Sequence, residues 1–244
     1  DYVDEFRVIE FDKTFSGKEK YQTFQKNKKK YPKVKYYWVD EDVWGKYWVE
    51  AKKSPNTNYG EGANHWLREW CQKESIKEYL TDLLDEDIIY LGDCDELWQP
   101  FPVGDKQIFK LKLRVYTYWL NNKSTEEFWG TIVGKYKNIK DKCLNHIRST
   151  EHIKTQTEWG WHFTSLAPYL KNKLEDSYTT ETYASQAVID NLNNSINNNI
   201  DFLGRDFKYK IDEENWPEYL KQHKNKYSQL CLKQLLTTEK QQKS

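Results

Sequence analysis

Asp93-Cys94-Asp95-Glu96 places three carboxylates within four residues, directly after the apolar run Ile88 to Leu91 and Gly92. Side chains at i and i+2 of an extended segment share a face, and a turn can also converge them. Two convergent carboxylates make a hard-oxygen site for Mg²⁺ or Mn²⁺. Ile88 to Leu91 reads as a buried, parallel-type strand bounded by turn signals. In open α/β sheets the carboxyl edge of the strands is where ligands bind. An Asp-x-Asp after a strand is also an ordinary polar turn, so the surrounding chain has to decide. Cys94 is set aside as a ligand, because its two neighbours are the residues that converge.

Two other stretches carry chemistry. A strand over residues 5 to 11, with Phe6, Val8 and Ile9 as its buried set, ends at Glu10 and Asp12 and leads into Thr14-Phe15-Ser16-Gly17-Lys18. A loop with Gly and Lys after a strand can hold phosphate through backbone N–H groups and a cation, although it lacks a Walker pattern. The second is Trp159-Gly160-Trp161-His162-Phe163, whose histidine is a candidate ligand or base. The basic run Lys26, Lys28, Lys29 and Lys30 before Tyr31-Pro32 reads as a solvated helix face.

Elements that would position these residues follow from periodicity. Val34, Tyr36 and Trp38 alternate as a second strand. Residues 41 to 62 read as an irregular excursion, and Trp66, Leu67, Trp70 and Cys71 then fall at helical spacing, leaving Arg68, Glu69 and Lys73 off the apolar stripe. Phe109 to Val115 alternates strictly between apolar and charged residues, turns at Asn121-Asn122, and pairs antiparallel with a strand over Phe128 to Val133. Helices are expected over 135–148, from Pro168 to Leu174, over 183–196 with Ala184, Ala187, Val188, Leu192 and Ile196 in register, and after Asn215-Trp216-Pro217. The Asn122 and Asn193 glycosylation sequons are matters of chance in so Asn- and Ser-rich a chain.

Composition bounds the rest. In 244 residues, 38 basic side chains balance 38 acidic ones, so no global field favours nucleic acid or an anionic membrane. Aromatics reach 16%, with 11 Trp and 18 Tyr, which fits a globular chain and not a disordered one. Cys71, Cys94, Cys143 and Cys231 are too scattered for a zinc knuckle or a dense disulfide framework. There is no run of 18 apolar residues to span a membrane, and no signal-peptide pattern, so the cytoplasm is the expected compartment. The chain contains no Met, so Asp1 is read as other than the native start.

Several separated pieces together resemble glycosyltransferase family 17. Val8-Ile9-Glu10 with Thr14 to Lys20 resembles that family's early strand and "TFSGKxK" loop. Arg68-Glu69-Trp70-Cys71-Gln72-Lys73 is similar to its Arg-Glu-aromatic-x-Gln-Arg segment, with Lys73 in the second arginine's place. Asp87 to Glu96 resembles the "DiiixSDxDEIP" hallmark, although Leu97-Trp98 replaces Ile-Pro. Tyr116 to Asn121 with Trp129-Gly130-Thr131 is similar to "YYxLN…WxGT". Gly160 to Ser165 resembles "GWHFS" and is followed by Lys173-Leu174-Glu175. The motifs run in order from residue 6 to about 230. The family's strand preceding Asp1 is missing, and Thr179 stands near the position of a family histidine while Glu181 is kept.

The resemblance implies an α/β chain with a GT-A-like (nucleotide-diphospho-sugar transferase) mixed, mostly parallel sheet flanked by helices. A single, N-terminally incomplete domain would cover 1–232, with a polar tail over 233–244. It implies an inverting, metal-dependent transferase that moves a sugar, typically N-acetylglucosamine, from a UDP-sugar donor to a glycan acceptor. Within that frame Asp95 is the main metal ligand, Asp93 a direct or water-mediated ligand or a ribose contact, and His162 the third ligand. Mixed O/N ligation suits Mn²⁺ better than Mg²⁺. Glu10 is placed to accept from uracil; Ser16, Gly17 and Lys18 line the phosphate loop; Lys18, Arg68 and Lys73 neutralise phosphate. Inversion needs one general base, for which Glu158, Glu181 and Glu96 are the candidates. Trp98, Trp159 and Trp161 can stack on sugar faces. Two alternatives stand: a haloacid-dehalogenase-like phosphatase with its first Asp as nucleophile, and a carbohydrate-binding module without turnover.

Overall fold

The structure is a computed structural model that describes residues 2–53, 64–149, 152–177 and 185–233. Two strands open it, β1 (Phe6–Phe11) and β2 (Val34–Val39), paired in parallel with Phe6 opposite Val34 and Phe11 opposite Val39. Alternation sends Ile9, Phe11, Tyr37 and Val39 to one face, where Val39, Trp44, Ala51, Leu67, Trp70 and Cys71 form a core. Phe6 lies on the opposite face and is 46% exposed, so the expected buried set of Phe6, Val8 and Ile9 is corrected at Phe6. The connection between the strands carries the Thr14–Lys18 loop and a 3-10 turn, Gln25–Lys30, with no buried residue, as expected of a solvated basic run.

The stretch after β2 is more regular than its sequence suggests. It forms α1 (Glu41–Trp44), a 3-10 turn (Gly45–Tyr47) and α2 (Trp48–Lys53). Asp12, at the end of β1, starts α1: its carboxylate accepts from the Glu41 amide at 3.2 Å and from Trp44 Nε1 at 2.8 Å. Helix α3 (Asn64–Ser75) then packs Leu67, Trp70 and Cys71 onto the parallel pair. Its buried face is wider than the apolar stripe predicts, taking in Gln72 and Glu74 as well.

A second sheet holds six strands: β3 (Ile88–Leu91), β4 (Glu96–Trp98), β5 (Ile108–Tyr118), β6 (Asn122–Lys135), β7 (Ile153–Leu166) and β8 (Tyr209–Ile211). Their order is β3-β6-β5-β7-β4, with β8 also on β6. Only β5 and β7 run parallel; every other pair in this sheet is antiparallel. The expectation of a mostly parallel sheet is therefore corrected. The tight turn at Trp119–Asn121 forces β6 back along β5, and only the excursion through α4 (Leu144–Ser149) is long enough to return β7 parallel to β5. β3 is likewise not parallel-type: it lies antiparallel to β6 and leaves Ile88 51% exposed.

Helices cover both faces. The expected helix over 135–148 is a 3-10 turn (Tyr136–Asn138) and the short α4, because β6 runs on to Lys135 and the apolar residues Ile139, Leu144 and Ile147 pack as separate knobs on Ile108 and Ile132. Helices α5 (Leu170–Ser177) and α6 (Gln186–Asn197) enclose Tyr118 with Leu170, Leu174 and Leu192; Ala187 is exposed, and Ala184 lies outside the described residues. Helix α7 (Glu218–Gln222), preceded by Pro217, buries Trp216 and Leu220 against Tyr116, Trp161 and Phe163. Asn122 is fully buried and pairs with Asn199, which makes its sequon inaccessible. Among the described residues no helix is long and apolar enough to cross a membrane.

β4 and β7 approach closely at Gly160, where a Cβ would stand 2.1 Å from the Leu97 carbonyl and 2.8 Å from Trp98 Cα. Backbone cannot step aside there without breaking the pairing of Glu96 with His162. Gly160→Ala is expected to destabilise the fold by about 3 kcal/mol, the upper range for overpacking, read as a lower urea midpoint at unchanged slope.

Candidate active site

The Asp93–Glu96 turn is built around Glu96. Its backbone amide closes the turn on the Asp93 carbonyl at 3.0 Å. Its side chain runs into the sheet, where Thr131 Oγ1 donates to it at 2.7 Å and Arg148 approaches at 3.4 Å. Glycine makes room: a Cβ at Gly92 or at Gly130 would lie 2.7 Å from this carboxylate. Burial raises the Glu96 carboxyl and Asp93's charge adds to this, against the opposing pull of Arg148 and Thr131. As a catalytic candidate Glu96 is therefore corrected: it is 5% exposed and serves as the anchor of the turn.

With Glu96 turned inward, the two aspartates diverge. Asp93 forms a bidentate pair with Arg148, at 2.7 and 2.9 Å. Burial would raise its carboxyl, but the hydrogen bonds and charge of Arg148, with Lys73 and His162 behind them, hold it well below the usual carboxylate range. Asp95 faces His162, with Oδ2 3.6 Å from Nε2, and Lys173 Nζ lies 3.4 Å from the same oxygen. Its carboxyl is lowered too: burial opposes, and hydrogen bonding and charge from His162, then charge from Lys173, prevail. His162 stacks on Phe128 at 4.2 Å, and its Nδ1 is buried with no partner among the described residues.

Asp95 and His162 are thus brought together as expected, and Asp93 is not brought in as a third ligand, because Arg148 closes both its oxygens. Among the described residues no group of three His, Cys, Asp or Glu is placed to hold a metal ion. Cys94 is an exposed free thiol between them. Arg148 and Lys173 had no role in the sequence reading. A single arginine on a short helix leaves no periodic trace, whereas Lys173, eleven residues past His162, was visible only as part of a motif.

Other predicted residues take different places. The Thr14–Lys18 loop is closed by Thr14 N to Lys18 O at 2.8 Å and Lys18 N to Thr14 Oγ1 at 3.0 Å, with Ser16 Oγ 2.9 Å from Thr14 Oγ1 and Gly17 at φ 92°. Helix α3 holds it from beneath: Arg68 Nη1 donates to the Phe15 carbonyl, Gln72 Nε2 donates to the Lys13 carbonyl at 2.9 Å, and a Cβ at Gly17 would meet the Arg68 guanidinium at 3.0 Å. Arg68 supports the loop from beneath through its bond to Phe15. Lys73 pairs with Glu69 and contributes its charge to Asp93, so α3 links the loop to the turn. Glu10 is corrected as a uracil acceptor, since its oxygens already accept from the Thr23 and Phe24 amides at 3.2 Å and from Tyr36 Oη at 2.8 Å.

Glu158 is on the wrong side of the sheet. Lys112 is opposite Glu158 and Arg114 is opposite Trp161, so three residues of β7 span two of β5 and a bulge inverts the alternation. Glu158 thereby shares a face with Arg114, 2.8 Å away, while His162, opposite Val115, points to the other. Glu181 lies outside the described residues. The three tryptophans are structural: Trp98 stacks on Tyr90 at 3.7 Å, Trp159 meets Phe101 edge-on, and Trp161 is buried and donates to the Asn215 carbonyl.

One further acidic residue in β6 has a perturbed carboxyl. Glu126 sits two residues before Phe128 on β6; burial raises its carboxyl against the charges of Arg205 and His162.

A carboxylate and an imidazole facing each other, with arginine and lysine around them, suit a multiply charged anion and the cation that accompanies it. The class follows from comparison with known families. Residues 1–172 match the model of glycosyltransferase family 17, a stretch that includes the loop, α3, the Asp93–Glu96 turn and β7 and ends one residue before Lys173. The chain belongs to glycosyltransferase family 17. It is a glycosyltransferase, and its family implies a sugar donor and a glycan acceptor. No curated protein and no solved structure matches it. The family match favours the transferase over the phosphatase alternative.

Arg148→Ala removes the cation from Asp93. The expected loss is about 1–2 kcal/mol at pH 7, below that of a fully buried pair because the Asp93 side chain is 49% exposed. A depressed carboxyl stabilises above its unfolded value, near about 4, and loses that contribution as pH falls through the lower folded value. The Asp93 part of the stability gap between wild type and Arg148→Ala, isolated by urea titration in a Glu96→Gln background, is therefore constant between about pH 5 and 7 and closes in more acid solution.

Proposed function

We propose that this chain transfers N-acetylglucosamine from UDP-GlcNAc to a glycan acceptor with inversion, using Mn²⁺ or Mg²⁺, on the sheet face that carries Asp95 and His162. The observation that carries the reading is the facing pair itself: Asp95 Oδ2 is 3.6 Å from His162 Nε2, next to Lys173. Magnesium-like cations are often held by one or two protein groups plus substrate phosphates and water, so a pair of ligands is sufficient chemistry. Asp95 and His162 would hold the cation, and their mixed O/N character favours Mn²⁺. When bound, the cation neutralises the charge that develops on the departing diphosphate.

The chain's own residues have distinct tasks. Asp95 is oriented by Lys173 and by the backbone, its carbonyl accepting from the Phe163 amide at 3.0 Å. Asp93 is a positioning residue: locked to Arg148, it fixes a guanidinium beside the turn, with Lys73 adding positive charge. Lys173, the more loosely held cation, would favour an anionic leaving group more as its charge grows, which is the condition for lowering a barrier and not merely tightening binding.

Calorimetry with UDP-GlcNAc tests this. Binding is expected to require Mn²⁺ or Mg²⁺ and to weaken by about tenfold or more in Asp95→Ala, the loss of one charged ligand. Affinity that is indifferent to both EDTA and the substitution would overturn the metal-site reading.

A further inference from the structure

We propose that Lys173 is the counter-ion that keeps Asp95 closed to a free divalent cation, so that the cation enters only with a nucleoside diphosphate, onto which the ammonium then turns. This rests on the metal-dependent reading above. Asp95 and His162 offer two ligands, and among the described residues no third His, Cys, Asp or Glu completes a metal site. One oxygen is shared: Asp95 Oδ2 lies 3.6 Å from His162 Nε2 and 3.4 Å from Lys173 Nζ. A dication held by that oxygen would stand beside an ammonium, and the repulsion is only partly screened where both side chains are mostly buried, at 31% and 30% exposed. Two ligands against a positive charge make a poor site for the ion alone. A diphosphate reverses both conditions, because its oxygens supply the missing ligands and its charge gives Lys173 a new partner.

Lys173 is the cation at this turn that is free to make the exchange. Arg148 is committed to both oxygens of Asp93, and Lys73 is paired with Glu69. Lys173 meets Asp95 at 3.4 Å and Thr164 Oγ1 at 3.1 Å, both longer than the roughly 2.7–2.9 Å of a tight charge-assisted bond. Its backbone is pinned while its tip is not. On α5 the neighbouring Leu170 and Leu174 are buried in the core, and four methylenes then carry the ammonium to the surface. Asp95 does not depend on Lys173 for its place, since its carbonyl accepts from the Phe163 amide at 3.0 Å. The ammonium can therefore leave the carboxylate without taking the turn with it.

Mn²⁺ binding to the full chain without nucleotide is followed by the electron paramagnetic resonance signal of the free ion, and UDP binding in excess Mn²⁺ by calorimetry. Lys173→Met keeps the stem and removes the charge. It is expected to bind free Mn²⁺ about tenfold more tightly than the wild type, and UDP about tenfold more weakly. Lys173→Arg, which keeps the charge, is expected to follow the wild type in both titrations. Free-Mn²⁺ affinity that is unchanged in Lys173→Met overturns the inference, and weaker affinity does so as the mark of a residue that only supports Asp95. Unchanged UDP affinity in Lys173→Met, or a Lys173→Arg chain that behaves as Lys173→Met, overturns it as well. In each of these cases UDP binding by the wild type leaves the metal-dependent reading intact. A wild type that binds no UDP in excess Mn²⁺ overturns that reading, and this inference with it.

Discussion

The buried carboxylate of Glu96 is the constraint from which the site is arranged. A carboxylate taken out of water has to be hydrogen-bonded or paired, and Glu96 finds Thr131 on β6 and Arg148 at the end of α4. Those partners come from β6 and α4, and the carboxylate fits between them because Gly92 and Gly130 have no side chains to occupy the space. Once Glu96 points inward, the turn before it is fixed, Asp93 falls to Arg148 and Asp95 to His162. The separation of roles between the two aspartates follows from where the third acid is buried.

Electrostatics around the turn are balanced locally. Three acids lie against Arg148, Lys73, Lys173 and His162, and each strongly perturbed carboxyl has an identifiable cation beside it. Because low dielectric magnifies both attraction and the cost of an unpaired charge, such a cluster tolerates an incoming anion best where a cation is only partly committed. Lys173, 3.4 Å from Asp95 and 3.1 Å from Thr164 Oγ1, is more loosely held than Arg148.

Much of this was legible in the amino-acid string, and the failures have physical causes. The strict alternation from Phe109 to Val115 and the Asn121-Asn122 turn defined the β5–β6 hairpin, because both signals are local. The direction of β3 was not legible: an apolar run of four does not say which strand it will pair with, and β6 took it antiparallel. Asp95 and His162 were found by residue type and place. Glu158 was misplaced because a single-residue bulge in β7 is set by pairing with β5 and has no composition of its own. Arg148, and the diversion of Asp93 to it, depend on a contact spanning 55 residues that no periodicity reports.

The close approach of β4 to β7 at Gly160 also bears on how the molecule opens. β4 is a three-residue edge strand: one local bond, from the Glu96 amide to the Asp93 carbonyl, closes the turn before it, and its side-chain ties span 35 residues to Thr131 and 52 to Arg148. Loops of that size cost entropy to close and are rewarded only once the sheet beneath them exists. Beyond that one local bond, the acidic turn depends on contacts made by the rest of the sheet. Displacing β4 from β7, β6 and α4 together separates Glu96 from Thr131, Asp93 from Arg148 and Asp95 from His162, so the acidic turn opens only with the sheet around it.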